Sequence, residues 1–354
     1  MGACALGRAI DANGDPLDGE RPLRGRSVSL ELRAPLPNQR DPIATPLWTG
    51  IRVLDGLLTL GRGARIGIFG APGAGKSTVI EAIVDGCVAD AVVVGLAGER
   101  GREAQRWIER RNERTTIVCS TSDRSATERL AAAHVAIAQA RALCERGLHV
   151  LFVLDSLARV AAASREIAVA AGESAGRGGY PPSVFADLAR LVEGAGAMRR
   201  GSITLVATVL GDGDDRDPVS EAARSLLDGH VQLSLRLAEA GRFPAVDVPG
   251  SSSRTMDLVA GEEHLRAARS LRHAISLLAR IDDARSLGIQ PVDRASLAAI
   301  ALEPGLEAFL RQDRRVVDRS ETLGELTALA DSFERSQLGN VALMAGSQVP
   351  DRIL

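Results

Sequence analysis

The chain has 354 residues, 45% of them apolar and 25% charged, enough for one large α/β domain with an appendage or for two ordinary domains. A net charge of −2 gives no electrostatic reason to bind nucleic acid or an acidic membrane surface. The four cysteines lack CxxC spacing and three lie in apolar runs, as expected of buried free thiols in a reducing compartment. With no signal-peptide pattern at the N-terminus and no apolar stretch of membrane-spanning length, the expected location is cytoplasmic.

Residues 1–45 are rich in Gly, Pro and Arg and read as a linker or the tail of a preceding element. From Arg65 onward short apolar runs alternate with helical stretches. Strands are expected at 65–70, 91–97, 115–119, 149–155 and 202–210, with a further one at 231–237. Helices are expected at 77–87, 102–111, 125–146, 157–170 and 183–198. Such alternation predicts a mostly parallel sheet covered by helices on both faces. After about residue 262 the strands stop, and 263–283, 294–312 and 321–335 have helical apolar spacing. The expected organisation is therefore an N-terminal linker (1–45), an α/β domain (46–262) and a small helical domain (263–354).

Four segments carry chemistry. The first is Gly70-Ala71-Pro72-Gly73-Ala74-Gly75-Lys76-Ser77, followed by Thr78, which fits GxxxxGK[ST] between an apolar strand and an amphipathic helix. Glycines let backbone N–H groups turn inward around a phosphate, and the helix N-terminus adds partial positive charge. Lys76 would bridge the β- and γ-phosphates of ATP, and Ser77 would place its hydroxyl on Mg²⁺. Of 43 basic residues 42 are arginines, so the sole lysine stands where a compact point charge must reach between phosphates. The second is Phe152-Val-Leu-Asp155, an apolar run ending in a carboxylate at the carboxyl edge of the sheet. Asp155 could hold the Mg²⁺ hydration shell or merely cap a helix.

The third is Gly98-Glu99-Arg100, just past the next strand. Glu99 could polarise an attacking water with Arg100 near the γ-phosphate, or the two could form a solvated surface pair. The fourth is the Gly/Pro-rich run from Gly241 to Arg254. There Phe243 could pack against a base and Arg254 could reach a phosphate, or one could be core and the other merely exposed.

Together with the phosphate loop, the segments LAGERGREAQRWIER, VLDSLARV, RGGYPPSVFADLARLVE, DPVSEAARSLLDGHVQLS and AEAGRFPAVDV-GSSSR resemble the type III secretion ATPases of injectisomes and flagellar export. These are homologues of the rotary ATP synthase catalytic subunit. The resemblance runs from about residue 6 to about residue 335. It implies Mg²⁺-dependent ATP hydrolysis that energises protein export by releasing chaperones and unfolding substrates.

The resemblance also assigns roles. Lys76 and Ser77 become phosphate and Mg²⁺ ligands, Asp155 the outer Mg²⁺ carboxylate, and Glu99 the water-activating base. Arg100 becomes a phosphate sensor, Phe243 an adenine-stacking ring, and Arg254 an arginine finger reaching into the neighbouring subunit of a homohexameric ring. It implies secretion chaperones, exported proteins and stalk or stator proteins as partners, at the cytoplasmic face of the bacterial inner membrane. Family members begin with a small β-barrel domain, and this chain is expected to start just after it, with a weakened ring as the result. Other readings are a catalytic subunit of a rotary synthase, an assembly-incompetent nucleotide-binding relic, and a ring helicase. A neutral chain with one lysine and few aromatics fits the last poorly.

Overall fold

Apolar runs that lack any polar alternation have to be covered on both faces, and that condition organises the molecule. The computed structural model describes residues 1–25, 27–31, 34–210, 217–286 and 292–338. In order, the N-terminal part contains β1 (Ala9–Ile10), β2 (Pro46–Leu47), α1 (Arg52–Leu57), β3 (Leu60–Gly61), β4 (Arg65–Gly70) and α2 (Lys76–Gly86). There follow β5 (Ala91–Glu99), α3 (Gly101–Arg110), β6 (Thr115–Thr121), α4 (Ala126–Cys144), β7 (His149–Asp155), α5 (Leu157–Ala170), α6 (Pro182–Glu193), β8 (Gly196–Met198) and β9 (Gly201–Leu210). The chain continues through α7 (Pro218–Leu226), β10 (Gly229–Leu233), α8 (Leu235–Glu239), β11 (Val246–Ser253), α9 (Met256–Val259), α10 (Glu262–Ser286), α11 (Arg294–Leu310) and α12 (Arg319–Leu338).

Among the described residues the main sheet runs β1-β6-β5-β7-β9-β4-β10-β11, with β8 paired to β9. All pairings from β1 to β10 along this path are parallel, and β11 closes the edge antiparallel to β10. All nine residues of β5 are buried, as a central strand of a parallel sheet requires. Helix α4 approaches β5 closely because its inner face is Ala132, Ala133, Ala136 and Ala140, opposite Gly95. Its start is fixed by a capping box in which the Ser125 hydroxyl accepts from the Glu128 amide while the Glu128 carboxylate accepts from the Ser125 amide.

Beyond β11 the described residues are helical. Phe309, Leu326 and Phe333 from α11 and α12 are buried in one core with Leu54 and Leu57 of α1 and Ile66 of β4. Residues 339–354, part of the expected helical domain, lie outside the described residues.

Several local expectations are corrected. The helix expected over 183–198 stops at Glu193, and 196–198 turn back as β8. Gly194 and Gly196 interrupt the helical pattern, and Gly196 has φ 145° with the Arg40 guanidinium packed where a Cβ would stand. The strand expected over 231–237 ends at Leu233, because Ser234 caps α8 with its hydroxyl accepting from the Leu237 amide. The Gly/Pro-rich run 241–254 is largely β11 rather than a loop. Finally, part of the segment read as a linker is built into the core. Ala9 and Ile10 pair with Ile117 and Val118, and Ala5, Ala9 and Ile10 are fully buried. All four cysteines are free, and Cys87, Cys119 and Cys144 are buried.

Candidate active site at the carboxyl edge of the sheet

Strands β4, β5 and β7 are parallel, so the residues at which they end share one edge of the sheet. Residues 70–78 leave β4 and enter α2 there. Gly73 and Gly75 have φ of 88° and 94°, a conformation that disfavours side chains, and Gly75 is the N-cap of α2. Ser77 and Thr78 are exposed on the first turn of α2. The Lys76 ammonium folds back on the loop, donating to the carbonyls of Gly70 (2.6 Å) and Ala71 (2.9 Å). Burial holds its pKa below the ordinary lysine value, while Asp155 and Glu99 pull the other way.

Glu99 closes β5 and is only 3% exposed. Burial pushes its carboxyl up to about 8, helped by the neighbouring carboxylates of Glu103 and Asp155. Arg159 opposes this: its guanidinium pairs with Glu99 and also donates to the Gly98 carbonyl at 2.6 Å. Asp155 closes β7 beside Leu96 of β5. Burial raises its carboxyl as well, while the Thr208 hydroxyl from β9 donates to it at 2.5 Å. The Asp155 carboxylate also raises the carboxyl of Glu99 through its charge. The site is therefore an acidic cluster of Glu99, Glu103 and Asp155 facing one ammonium and one guanidinium. Arg100 sits at the N-cap of α3, exposed and, among the described residues, without an ion pair.

Phe243 lies on the same edge. The register places Gln232 beside both Phe69 and Asp247, so the segment entering β11 arrives at the end of β4 where the phosphate loop begins. Phe243 is 47% exposed and walls a cavity of about 220 Å³ together with Ile51, Gly75, Thr78, Val79 and Val316. Arg254 is elsewhere. Its neighbour Ser253 pairs with Gly229, which in turn pairs with Ile66 at the start of β4. Arg254 is exposed there, at the opposite edge of the sheet from its own phosphate loop. The four steps from Ile66 to Gly70 alone span about 13 Å. The structure thus brings Lys76, Ser77, Glu99, Asp155 and Phe243 to one edge and leaves Arg254 at the other.

The sequence reading missed four contributors. Arg159 had a usable signal, lying one helical turn past Asp155. Glu103 stands one turn past Glu99. Thr208 is one hydroxyl in an apolar strand and had none. The stretch 312–316, which carries Val316 into the cavity wall, comes from between α11 and α12 and is invisible in local pattern.

Residues 50–253 match the ATP synthase alpha/beta family, nucleotide-binding domain, and the chain belongs to this family of P-loop ATPases. The similarity continues into its export branch. The chain is 46% identical over 339 residues to a type 3 secretion system ATPase of Sinorhizobium fredii, covering 93% of this chain and 75% of that protein. It is 42% identical over 345 residues to a flagellum-specific ATP synthase of Bacillus subtilis, covering 94% and 78%. Among solved structures, the assembled ATPase EscN in complex with its central stalk EscO, from the enteropathogenic E. coli type III secretion system, superposes with a TM-score of 0.85. That match has 37% identity and covers 93% of this chain and 82% of that one.

Proposed function

We propose that the chain hydrolyses ATP in a ring of identical subunits and couples hydrolysis to protein export. The observation that carries this reading is the meeting of the phosphate loop, Glu99 and Asp155 at one sheet edge while Arg254 stands at the other. In this reading Lys76 leaves the Gly70 and Ala71 carbonyls to contact the β- and γ-phosphates. Glu99 takes a proton from the water whose oxygen attacks the γ-phosphorus as the bond to the β-phosphate oxygen breaks. A base whose pKa is near working pH suits that transfer. Arg159 orients the Glu99 carboxylate, Arg100 contacts the γ-phosphate, and Phe243 stacks on adenine in the cavity beside the loop.

Mg²⁺ fits the donor set: the free, exposed Ser77 hydroxyl and the Asp155 carboxylate are hard oxygen donors on the phosphate-loop edge. When bound there, the ion would supply charge neutralisation to the transferring phosphate. Arg254 supplies transition-state charge to the neighbouring subunit, because it is placed too far from its own loop. The relatives' names support protein secretion as the coupled process, and the assembled neighbour with its stalk supports a ring that turns against a stalk protein. Chaperone release and unfolding of exported proteins at the inner-membrane export gate are the proposed work. The division into an α/β domain (46–262) and a helical domain (263–354) is proposed with it.

The test is Lys76→Ala, in steady-state hydrolysis at high protein concentration. Hydrolysis should vanish and nucleotide binding should weaken, with roughly 3 kcal/mol or more of transition-state stabilisation lost. Wild-type turnover in this variant would overturn the reading.

A further inference from the structure

The segment around Arg254 combines a backbone fixed from three sides with a side chain exposed at the rim of the sheet. The Arg254 amide donates to the Asp228 carbonyl at 3.0 Å. On one side the Ser253 hydroxyl donates to the Thr59 carbonyl at 2.7 Å, and on the other the Thr255 hydroxyl accepts from the Gly61 amide at 3.1 Å. Beside it, Gly229 leaves no room for a Cβ, which would stand 2.5 Å from the Ser252 carbonyl oxygen. Yet among the described residues the Arg254 guanidinium has no hydrogen bond and no ion pair. The chain holds the root of this side chain still and leaves its head free.

Asp228 is itself anchored with unusual completeness for a residue between a helix and a strand. Its carboxylate accepts from the Arg65 amide (2.9 Å), from Nε (3.0 Å) and from Nη2 (2.9 Å), while its own amide donates to the Arg65 carbonyl at 2.7 Å. The Arg65 guanidinium also pairs with Glu193 at 2.5 Å, and Glu193 pairs with Arg40 at 2.8 Å. Arg40 then donates to the carbonyls of Glu193 (2.7 Å) and Ala195 (3.0 Å), tying the end of α6. These four side chains form one alternating series of charges running across the edge of the sheet to Asp228. Bidentate, half-buried guanidinium–carboxylate pairs of this kind add geometric definition as well as energy.

We propose that the series Arg40–Glu193–Arg65–Asp228 is a positioning device for Arg254, acting on hydrolysis in the neighbouring subunit rather than in its own. The proposal rests on the reading of Arg254 as a finger supplied in trans. Transition-state contacts lose rate steeply when a charge is misplaced by an ångström, so an arginine presented to another molecule benefits from an immobile root. None of the four residues is part of the nucleotide site at the other edge, but Arg65 opens β4, which ends in the phosphate loop, so the test has to separate an effect through Arg254 from one through that strand.

Asp228→Asn keeps the carbonyl that accepts from Arg254 but removes the charge that Arg65 grips. It should lower kcat about 10-fold and leave KM for ATP within about 2-fold, because ground-state binding is made by other residues. The decisive readout is complementation in mixed rings. Mixing Asp228→Asn with Lys76→Ala should recover activity, since one interface type then joins an intact Lys76 to an intact Asp228 and Arg254. Mixing Asp228→Asn with Arg254→Ala should recover none, since both chains then lack a competent finger.

The opposite pattern, rescue by Arg254→Ala but not by Lys76→Ala, would place Asp228 with its own phosphate loop and overturn the proposal. An unchanged kcat would overturn it too. Should Asp228→Asn fail to fold by thermal melting, Glu193→Gln decides. It leaves the Arg65–Asp228 pair in place and should give a smaller loss in the same complementation group; no loss would overturn the proposal. The mixture of Arg254→Ala with Lys76→Ala is the control. If that mixture recovers and Asp228→Asn with Lys76→Ala does not, only the positioning role falls. If it does not recover, the trans finger itself falls.

Discussion

Phe243 and Arg254 stand at the two ends of one edge strand, β11, so one faces the cavity beside the chain's own phosphate loop and the other the opposite rim of the sheet. An eight-residue strand cannot deliver both to one bound nucleotide. If both act on nucleotide, they act on two different ones, and β11 becomes the element that links adjacent sites.

Removal of the ring at the near end should be read in binding. Phe243→Ala opens one wall of the cavity, so KM for ATP should rise about 10-fold, near 1.4 kcal/mol, with kcat little changed. Steady-state kinetics with ATP and with a base-free triphosphate check this. The second substrate should be insensitive to the substitution.

Glu99 makes the nucleotide-free protein sensitive to pH. Its carboxyl sits at about 8 when folded, against 4.5 ordinarily. Between those values the folded state holds a proton that the unfolded state has released, so stability falls as pH rises from about 4.5 through about 8. Thermal melting of the apo protein should show this decline, and Glu99→Gln should lessen it, most of all above the range in which Asp55 titrates. The same variant should retain ATP binding while hydrolysis drops about 100-fold or more, as loss of a positioned base predicts. A Glu99→Gln protein that lost binding but kept its rate per bound nucleotide would refute the base assignment.

Arg159 is the cation that favours ionised Glu99. Arg159→Ala should drive the Glu99 carboxyl further upward and move the pH dependence of kcat toward alkaline values. Activity at neutral pH should fall more than 10-fold. A pH–rate profile tests this, since a purely structural loss would lower the curve without displacing it.

Asp55 supports the wall of the cavity beside Phe243 through Gly50. It is buried, its carboxyl is pushed up to about 6, and it accepts from the Thr49 amide (2.8 Å), the Thr49 hydroxyl (2.7 Å) and the Gly50 amide (2.7 Å). Gly50 in turn receives the Gln312 side-chain amide at 2.6 Å. Asp55→Ala would leave buried donors without acceptors, at about 2 kcal/mol of stability. Chemical denaturation measures that loss, and weaker ATP binding should accompany it.

What the sequence made legible was whatever depends on short, contiguous pattern. The phosphate loop needs glycines, a lysine and a helix start within nine residues, and all were visible. Asp155 and Glu99 were visible because apolar strands end in them. Thr208 was not, because its role comes from the neighbouring strand β7 and not from its own surroundings. The linker-or-tail reading of residues 1–45 missed β1 because a two-residue strand has no periodicity to detect. The turn at Gly194–Gly196 was hidden by apolar residues that serve equally well in a helix and in β8. Asp228 reads as an ordinary residue between helix and strand until Arg65, 163 positions away, is placed beside it.

The solitary lysine has a chemical consequence. Apart from the terminal amine, Lys76 is the one primary amine in the chain, and burial holds its pKa below that of an ordinary lysine. At mildly alkaline pH an amine-reactive reagent therefore has one internal target, and that target lies in the loop that grips phosphate. Acylation there would remove the charge and block the loop in a single event, and ATP would shield it. Surface lysines, which absorb most of such a reagent in other proteins, are absent, so the extent of labelling at Lys76, read apart from the terminal amine, becomes a direct measure of how many phosphate loops are empty.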